Sequence, residues 1–270
     1  MSIPETNTDN RKIIHNIECF LLDMDGTLYL GDRWIDGATD FLSAVRGSGR
    51  RFCLVTNNSS KSAAAYLEKL RTMGLEIDPE TELATSGQAT VEYLKKHHAG
   101  KRVFLLGNDV LKQEFAEHNI TLDFENPEVV VTAFDTSLNY EKMCAVSDFV
   151  RAGWPYIATH PDKNCPTQNG FIPDIGAIHA FIEVSTGHIP DIVVGKPNNF
   201  ILDYALQKAG CRRDKAAIVG DRLYTDIVSA KNGLTGILVL SGETALGDLD
   251  GSDTIPDLIF DSVANITSLL

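Results

Sequence analysis

The chain has 270 residues, a length for one large or two modest domains, and its 43% hydrophobic and 23% charged residues are ordinary for a soluble globular protein. A net charge of −13 argues against nucleic acid or an anionic membrane as the main partner, and an anionic substrate would need local cations or a metal to enter a site. The start of the chain through Glu18, with Thr6, Asp9, Asn10 and Arg11, holds no apolar run fit for a signal peptide or membrane span and reads as a short polar tail. Cysteines at 19, 53, 144, 165 and 211, with no Cys-x-x-Cys, suit reduced thiols in a cytoplasm rather than a disulfide framework or a zinc site.

The first predicted element is a buried strand, Cys19-Phe20-Leu21-Leu22, followed at once by Asp23-Met24-Asp25-Gly26-Thr27. Two carboxylates at the end of an apolar strand are costly unless a cation or a proton answers them. Gly26 lets the backbone turn sharply after them, and Thr27 adds a hydroxyl. A helix follows, with Phe41, Leu42 and Val45 on one face, and then a strand Arg51-Phe52-Cys53-Leu54-Val55. That strand ends in Thr56-Asn57-Asn58-Ser59-Ser60, which opens a helix through Tyr66, Leu67 and Leu70, with Ser59 or Ser60 as N-cap. Strand, hydroxyl- and amide-rich turn, and helix N-terminus together form a phosphate cradle.

From Thr81 to Pro190 strand and helix alternate again. The predicted helices are Gly87–His98, Val110–His118, Tyr140–Ala152 and Ala177–Glu183; the strands are Val103–Leu106, Val129–Ala133 and Tyr156–Ala158. This suffices for a second small α/β unit with its own sheet. The loop from His160 to Gly176 reads as an irregular surface excursion, and the spacing of His160, Asp162 and Cys165 matches no metal-ligand pattern. Then the first pattern resumes: strand Asp191–Val194 before Gly195-Lys196-Pro197, a helix through Phe200, Leu202 and Leu206, and strand Ala216–Val219 before Gly220-Asp221-Arg222-Leu223-Tyr224-Thr225-Asp226. Thr235–Leu240 and Leu258–Phe260 complete the set. Four apolar strands thus end in Asp23/Asp25, Thr56, Lys196 and Asp221, and parallel strands joined by helices place such ends along one rim of a sheet.

Asp23, Asp25 and Asp221 with a turn carbonyl make an all-oxygen set suited to magnesium. Asp23 is then free to attack phosphorus, and Asp25 to protonate the leaving oxygen and deprotonate the hydrolytic water. Thr56 and Lys196 would contact non-bridging phosphate oxygens, while Asp226 would fix Lys196 or a water.

In this order and on these strand ends, Asp23-x-Asp25-Gly26-Thr27, Thr56-Asn57-Asn58, Gly195-Lys196-Pro197 and Gly220-Asp221-Arg222-x-x-Thr225-Asp226 resemble the phosphatases of the haloacid dehalogenase (HAD) superfamily. The step from Asp23 to Thr56 (56 − 23 = 33) is too short for an inserted domain, whereas that from Thr56 to Lys196 (196 − 56 = 140) accommodates one. This is similar to the type IIA branch, the 4-nitrophenylphosphatase and phosphoglycolate phosphatase relatives. The resemblance implies an α/β fold, a doubly wound, mostly parallel Rossmann-like core from 1–82 and 191–270 with an inserted α/β cap domain at 83–190. It implies Asp23 as nucleophile, Asp25 as general acid/base, and Mg2+ held by Asp23, the main chain of Asp25, and Asp221, with Thr27 and Asp226 behind them. Phosphate would fall to Thr56, Asn57, Asn58 and Lys196, and a specificity loop would include Asp162 and Asp174. Here Pro173-Asp174-Ile175-Gly176 replaces the branch's usual Pro-Gly-x-Gly, which alters the wall facing the leaving group.

The expected partner is a small phosphorylated metabolite, of sugar phosphate, phosphoglycolate, pyridoxal phosphate or nucleotide type; a homodimer stays open. A capped mutase would carry its insertion between the first two motifs, and a receiver domain would leave the middle insertion unexplained. The alternative is a catalytically silent phosphoryl-ligand binding or regulatory protein on the same fold.

Overall fold

The structure, a computed structural model, describes residues 8–167 and 170–270. The chain begins with α1 (Thr8–His15), β1 (Cys19–Leu22), the short hairpin β2 (Tyr29–Leu30) and β3 (Arg33–Trp34), α2 (Ala38–Gly47), β4 (Arg51–Thr56), α3 (Ala63–Thr72) and β5 (Leu83–Thr85). The middle runs α4 (Ser86–His97), β6 (Val103–Leu106), α5 (Asp109–Glu117), β7 (Val129–Thr132), α6 (Tyr140–Arg151), β8 (Tyr156–Ala158), hairpin β9 (Asn164–Thr167) and β10 (Gly170–Pro173), α7 (Ile175–Thr186) and β11 (Ile192–Val193). The last part is α8 (Asn199–Ala209), β12 (Ala216–Gly220), β13 (Thr235–Val239), β14 (Leu258–Phe260) and α9 (Ala264–Thr267).

Helices cover both faces of the larger sheet, so its strands are apolar without alternation, as β1 shows by being buried at every position. This six-stranded sheet is parallel throughout, in the order β14-β13-β12-β1-β4-β5. From β1 the chain moves outward one way to β4 and β5, then returns to β12 on the other side. The order reverses beside β1, and there the carboxyl ends of β1, β4 and β12 open a crevice. A second parallel sheet has the order β11-β8-β7-β6.

Three apolar layers hold these sheets. Phe20, Leu22, Phe52 and Leu54 pack under Phe41, Val45, Tyr66 and Leu70 of α2 and α3. On the opposite face Leu21, Cys53 and Val55 join Ile201, Leu202 and Ala205 of α8, and the same cluster continues through α4 and α5 to Val103, Leu105, Val129 and Val131 of the second sheet. Phe104, Leu106, Val130 and Tyr156 then meet Val146, Val150, Ile178 and Ile182 of α6 and α7. Each Val, Leu, Ile or Phe among these side chains contributes about 1.5–3 kcal/mol on full burial. Because the middle layer is shared, the two sheets are packed against each other rather than strung on a linker.

Several expectations are corrected. The predicted polar tail holds α1, which buries Ile14, and the turn after it buries Ile17; residues 1–7 of that tail lie outside the described residues. Leu83–Thr85, expected within the inserted unit, pairs with β4, and Ile192–Val193, expected in the core sheet, pairs with β8. Lys196 therefore reaches the rim from the edge of the second sheet. The segment 160–176 is no irregular excursion: β9 and β10 pair as a hairpin, with Pro166 and Pro173 on a two-stranded ribbon that needs no interior amide there. The cap of α3 is Ser62, whose oxygen accepts from the Ala65 amide, rather than Ser59 or Ser60.

Candidate active site

The first two carboxylates leave β1 through a turn that requires glycine. The Asp23 amide still donates to Val219 O at 2.9 Å, continuing the ladder, while Met24 buries its side chain in the layer beneath. Its carbonyl accepts from the Leu28 and Tyr29 amides at 2.9 and 3.2 Å, reversing the chain. Gly26 has φ +89°, and a Cβ there would collide with the Asp221 carboxylate. The buried Thr27 hydroxyl lies 3.5 Å from Asp221 Oδ1.

Lys196 arrives across a close backbone crossing. Gly195 N donates to Thr159 O at 2.8 Å, and a Cβ on Gly195 would come within 2.6 Å of Asn57 Oδ1. The Lys196 ammonium, 1% exposed, donates to Asp23 Oδ1 at 2.5 Å, Asp226 Oδ1 at 2.7 Å and Val55 O at 3.1 Å, so all three protons are placed. Burial opposes its charge, but Asp226 and Asp23 outweigh that and hold it above the usual lysine range.

The carboxylates lack matching charge. Oxygens of Asp23, Asp221 and Asp226 all lie within 4.8 Å of one another, with one ammonium between two of them. Burial pushes the Asp23 carboxyl well up; Lys196 opposes this, while Asp226 and Asp221 add to it. Burial, with Asp226, pushes Asp221 up to about 6. Asp25 is also raised, chiefly by burial, against the pull of Lys69 and Lys61, and its carboxylate stands outside the three-residue group. An all-oxygen, under-compensated set fits a hard divalent cation such as Mg2+ or Ca2+. Asp226 is engaged twice, by Lys196 and by the Arg222 amide at 3.2 Å, whereas Asp221 Oδ2 accepts from Glu243 N at 2.7 Å.

The turn after β4 brings Thr56, Asn57 and Asn58 to the same cleft. Thr56 Oγ1 accepts from Asn58 N at 3.2 Å, and Asn58 Oδ1 accepts from the Ser60 amide and hydroxyl at 2.9 and 2.7 Å. The Asn57 side chain is engaged with protein: its Nδ2 donates to Asp162 Oδ1 at 2.9 Å and to Lys196 O at 3.0 Å, and its Oδ1 accepts from Lys196 N at 2.7 Å.

Asp162 and Asp174 meet at the root of the β9–β10 hairpin and line the cleft with Cys165 and Pro166. Asp174 Oδ1 caps α7 through the Ile175 amide at 2.5 Å and lies 3.0 Å from His160 Nε2. His160, Asp162 and Asp174 come within metal-binding range of one another, unlike the His160–Asp162–Cys165 set considered from spacing. Both Asp162 oxygens and both His160 nitrogens have protein partners.

Two further residues that the sequence reading does not assign to the site are Arg222 and Glu243. Arg222 Nη1 lies 2.8 Å from Asp162 Oδ2 and its Nε 2.9 Å from Glu243 Oε2. Arg222 stood within a recognised motif; Glu243 follows β13, the neighbour of β12, which was the available signal.

The haloacid dehalogenase-like hydrolase family matches residues 20–121, and a second HAD-hydrolase-like family matches residues 193–266. An acid sugar phosphatase of Staphylococcus haemolyticus is 36% identical over 247 residues, covering 91% of this chain and 93% of that protein. The structure of a 4-nitrophenylphosphatase from Thermotoga maritima superposes with a TM-score of 0.91 at 43% identity, covering 95% of this chain and 98% of that one. A glycerol phosphate phosphatase from Mycobacterium tuberculosis, in complex with calcium, gives 0.85 at 29% identity, covering 96% of this chain and 78% of that one.

Proposed function

The chain belongs to the haloacid dehalogenase-like hydrolases and is a phosphoric monoester hydrolase, and from that premise we propose that it is a magnesium-dependent phosphatase of small phosphate monoesters acting through an aspartyl-phosphate. The observation that carries this reading is Asp23 on the carboxyl edge of β1, paired with Lys196 and crowded by Asp221 and Asp226. In the first step an Asp23 oxygen bonds to phosphorus in line with the leaving oxygen. The P–O bond to that oxygen breaks, and Asp25 delivers its proton there. Burial, which raises Asp25, favours the protonated form that this step needs. In the second step water attacks phosphorus, Asp25 takes the proton, and the bond to Asp23 breaks.

Asp23, Asp221 and the main chain of Asp25 would hold Mg2+. Once bound, the cation offsets the carboxylates and polarises the phosphoryl oxygens. Thr56, Asn58 and Lys196 serve those oxygens, with the Lys196 ammonium shared between Asp23 and phosphate. Asn57 acts behind Lys196. We read the α4–β11 segment as a cap whose hairpin closes over the leaving group. The relatives' names point toward sugar or polyol phosphates. Among the described residues no helix is long and apolar enough to cross a membrane.

The test is hydrolysis of 4-nitrophenyl phosphate with and without magnesium, followed by a panel of sugar, glycerol, glycolate, pyridoxal and nucleoside phosphates. We expect turnover that requires the cation and favours sugar or polyol esters. Full activity in excess chelator would overturn the metal assignment, and no turnover of any ester would favour a silent binding protein.

A further inference from the structure

We propose, building on the phosphatase reading, that Asp162 is a positioning residue for the chemical step and not a selector of the leaving group. It comes from the loop after β8, outside the six-stranded sheet, yet is only 3% exposed. Its Oδ2 pairs with Arg222 Nη1 at 2.8 Å, and its Oδ1 accepts from Asn57 Nδ2 at 2.9 Å. Each partner leads to the reacting centre by one further link. Asn57 grips the Lys196 main chain on both sides, accepting from its amide at 2.7 Å and donating to its carbonyl at 3.0 Å. Arg222 follows Asp221 in the chain and donates its amide to Asp226 Oδ2 at 3.2 Å.

Asp162 is itself fixed. Gly176 N donates to Asp162 O at 2.7 Å, and a Cβ on Gly176 would come within 2.8 Å of Asp162 O and Pro161 O. One rigid carboxylate therefore holds the strand-end loops after β4 and β12 in register. Both oxygens are paired to protein donors, so its position is set by Asn57 and Arg222 without any substrate. Removing its charge leaves the buried guanidinium with Glu243 as its remaining ion pair, and the loops that carry Asn57, which holds Lys196, and Arg222, which follows Asp221, lose their common anchor.

The experiment compares wild type with Asp162→Asn, an isosteric change, on 4-nitrophenyl phosphate, a hexose phosphate and glycerol phosphate. We expect kcat to fall roughly 10- to 100-fold on all three alike, with KM little changed and melting still well above assay temperature. In a double-mutant cycle, adding Asp162→Asn to Arg222→Gln should lower kcat far less than it does in wild type. Unchanged kcat in an active wild type, or a fall confined to particular leaving groups, would overturn the proposal. So would an activity loss that merely tracks unfolding. If Asp162→Asn cannot be purified, Arg222→Lys, which keeps the charge but loses the forked contact, should show the same uniform fall; a substrate-dependent one would be contrary. A wild type inactive on every ester would instead sink the phosphatase reading.

Discussion

Two buried carboxylate clusters meet at the cleft, and they are balanced differently. At the rim of the six-stranded sheet, Asp23, Asp221 and Asp226 share one ammonium, that of Lys196. At the hairpin root, Asp162 is answered by Arg222 and Asn57, and Asp174 by His160 and the first amide of α7. Desolvated carboxylates without enough positive charge repel one another, which raises Asp23 and Asp221 and is the reason for proposing a cation there. The hairpin root needs no ligand and works by holding other groups in place. Two neighbouring clusters of similar composition therefore read as a reaction centre and as its support.

The largest effect should come from Asp221. Asp221→Asn should reduce turnover by orders of magnitude and abolish the rise in melting temperature that magnesium gives wild type. In chelator the same variant should melt above wild type, because it removes one of three crowded charges. A variant that melts lower in chelator would show that the rim is balanced after all.

Asp174 sharpens the contrast from the other side. Asp174→Ala removes the α7 cap and the His160 partner together, and should lower stability by about 1–3 kcal/mol by chemical denaturation. Because Asp174 also lines the cleft, ratios of kcat/KM among leaving groups should shift more than the rate on an aryl phosphate. Equal effects on all substrates would place its role in folding alone.

The smallest effect concerns His179, which packs behind the hairpin root. Its Nε2 lies 3.1 Å from Thr132 Oγ1 and its ring meets Tyr156 edge-on. Burial, with His160 nearby, lowers it to about 3 from 6.5. The folded state thus favours the neutral ring: its stabilisation is present above pH 6.5 and is lost as pH falls from there toward 3. His179→Gln should flatten the fall in stability between pH 6.5 and 5, by ~1 kcal/mol given partial exposure. An unchanged pH slope would put the proton uptake elsewhere.

These two clusters also differ in how much of them the sequence reveals. Asp23, Asp25, Thr56, Lys196 and Asp221 each lie within three residues of the end of an apolar stretch, so local patterning exposes them and the doubly wound sheet together. The hairpin root has no such local signature, because Asp162 meets Asn57 across 105 residues and Arg222 across 60. Hairpin β9–β10 was hidden by prolines in a short ribbon. The sheet membership of Ile192–Val193 was hidden because a two-residue apolar strand fits either sheet equally well. The place of Asn57 after β4 suggests a phosphate ligand, and nothing local in the sequence signals that its side-chain Nδ2 donates to Asp162 and to the Lys196 carbonyl.

The covalent role of Asp23 is most directly tested by the stereochemistry of transfer from a monoester whose phosphorus is made chiral with oxygen isotopes and sulfur. Attack by Asp23 inverts configuration once, and attack by water on the aspartyl-phosphate inverts it again. We expect net retention. Net inversion would mean that water attacks phosphorus directly, and it would contradict the assignment of Asp23 as nucleophile even if every other contact described above were correct.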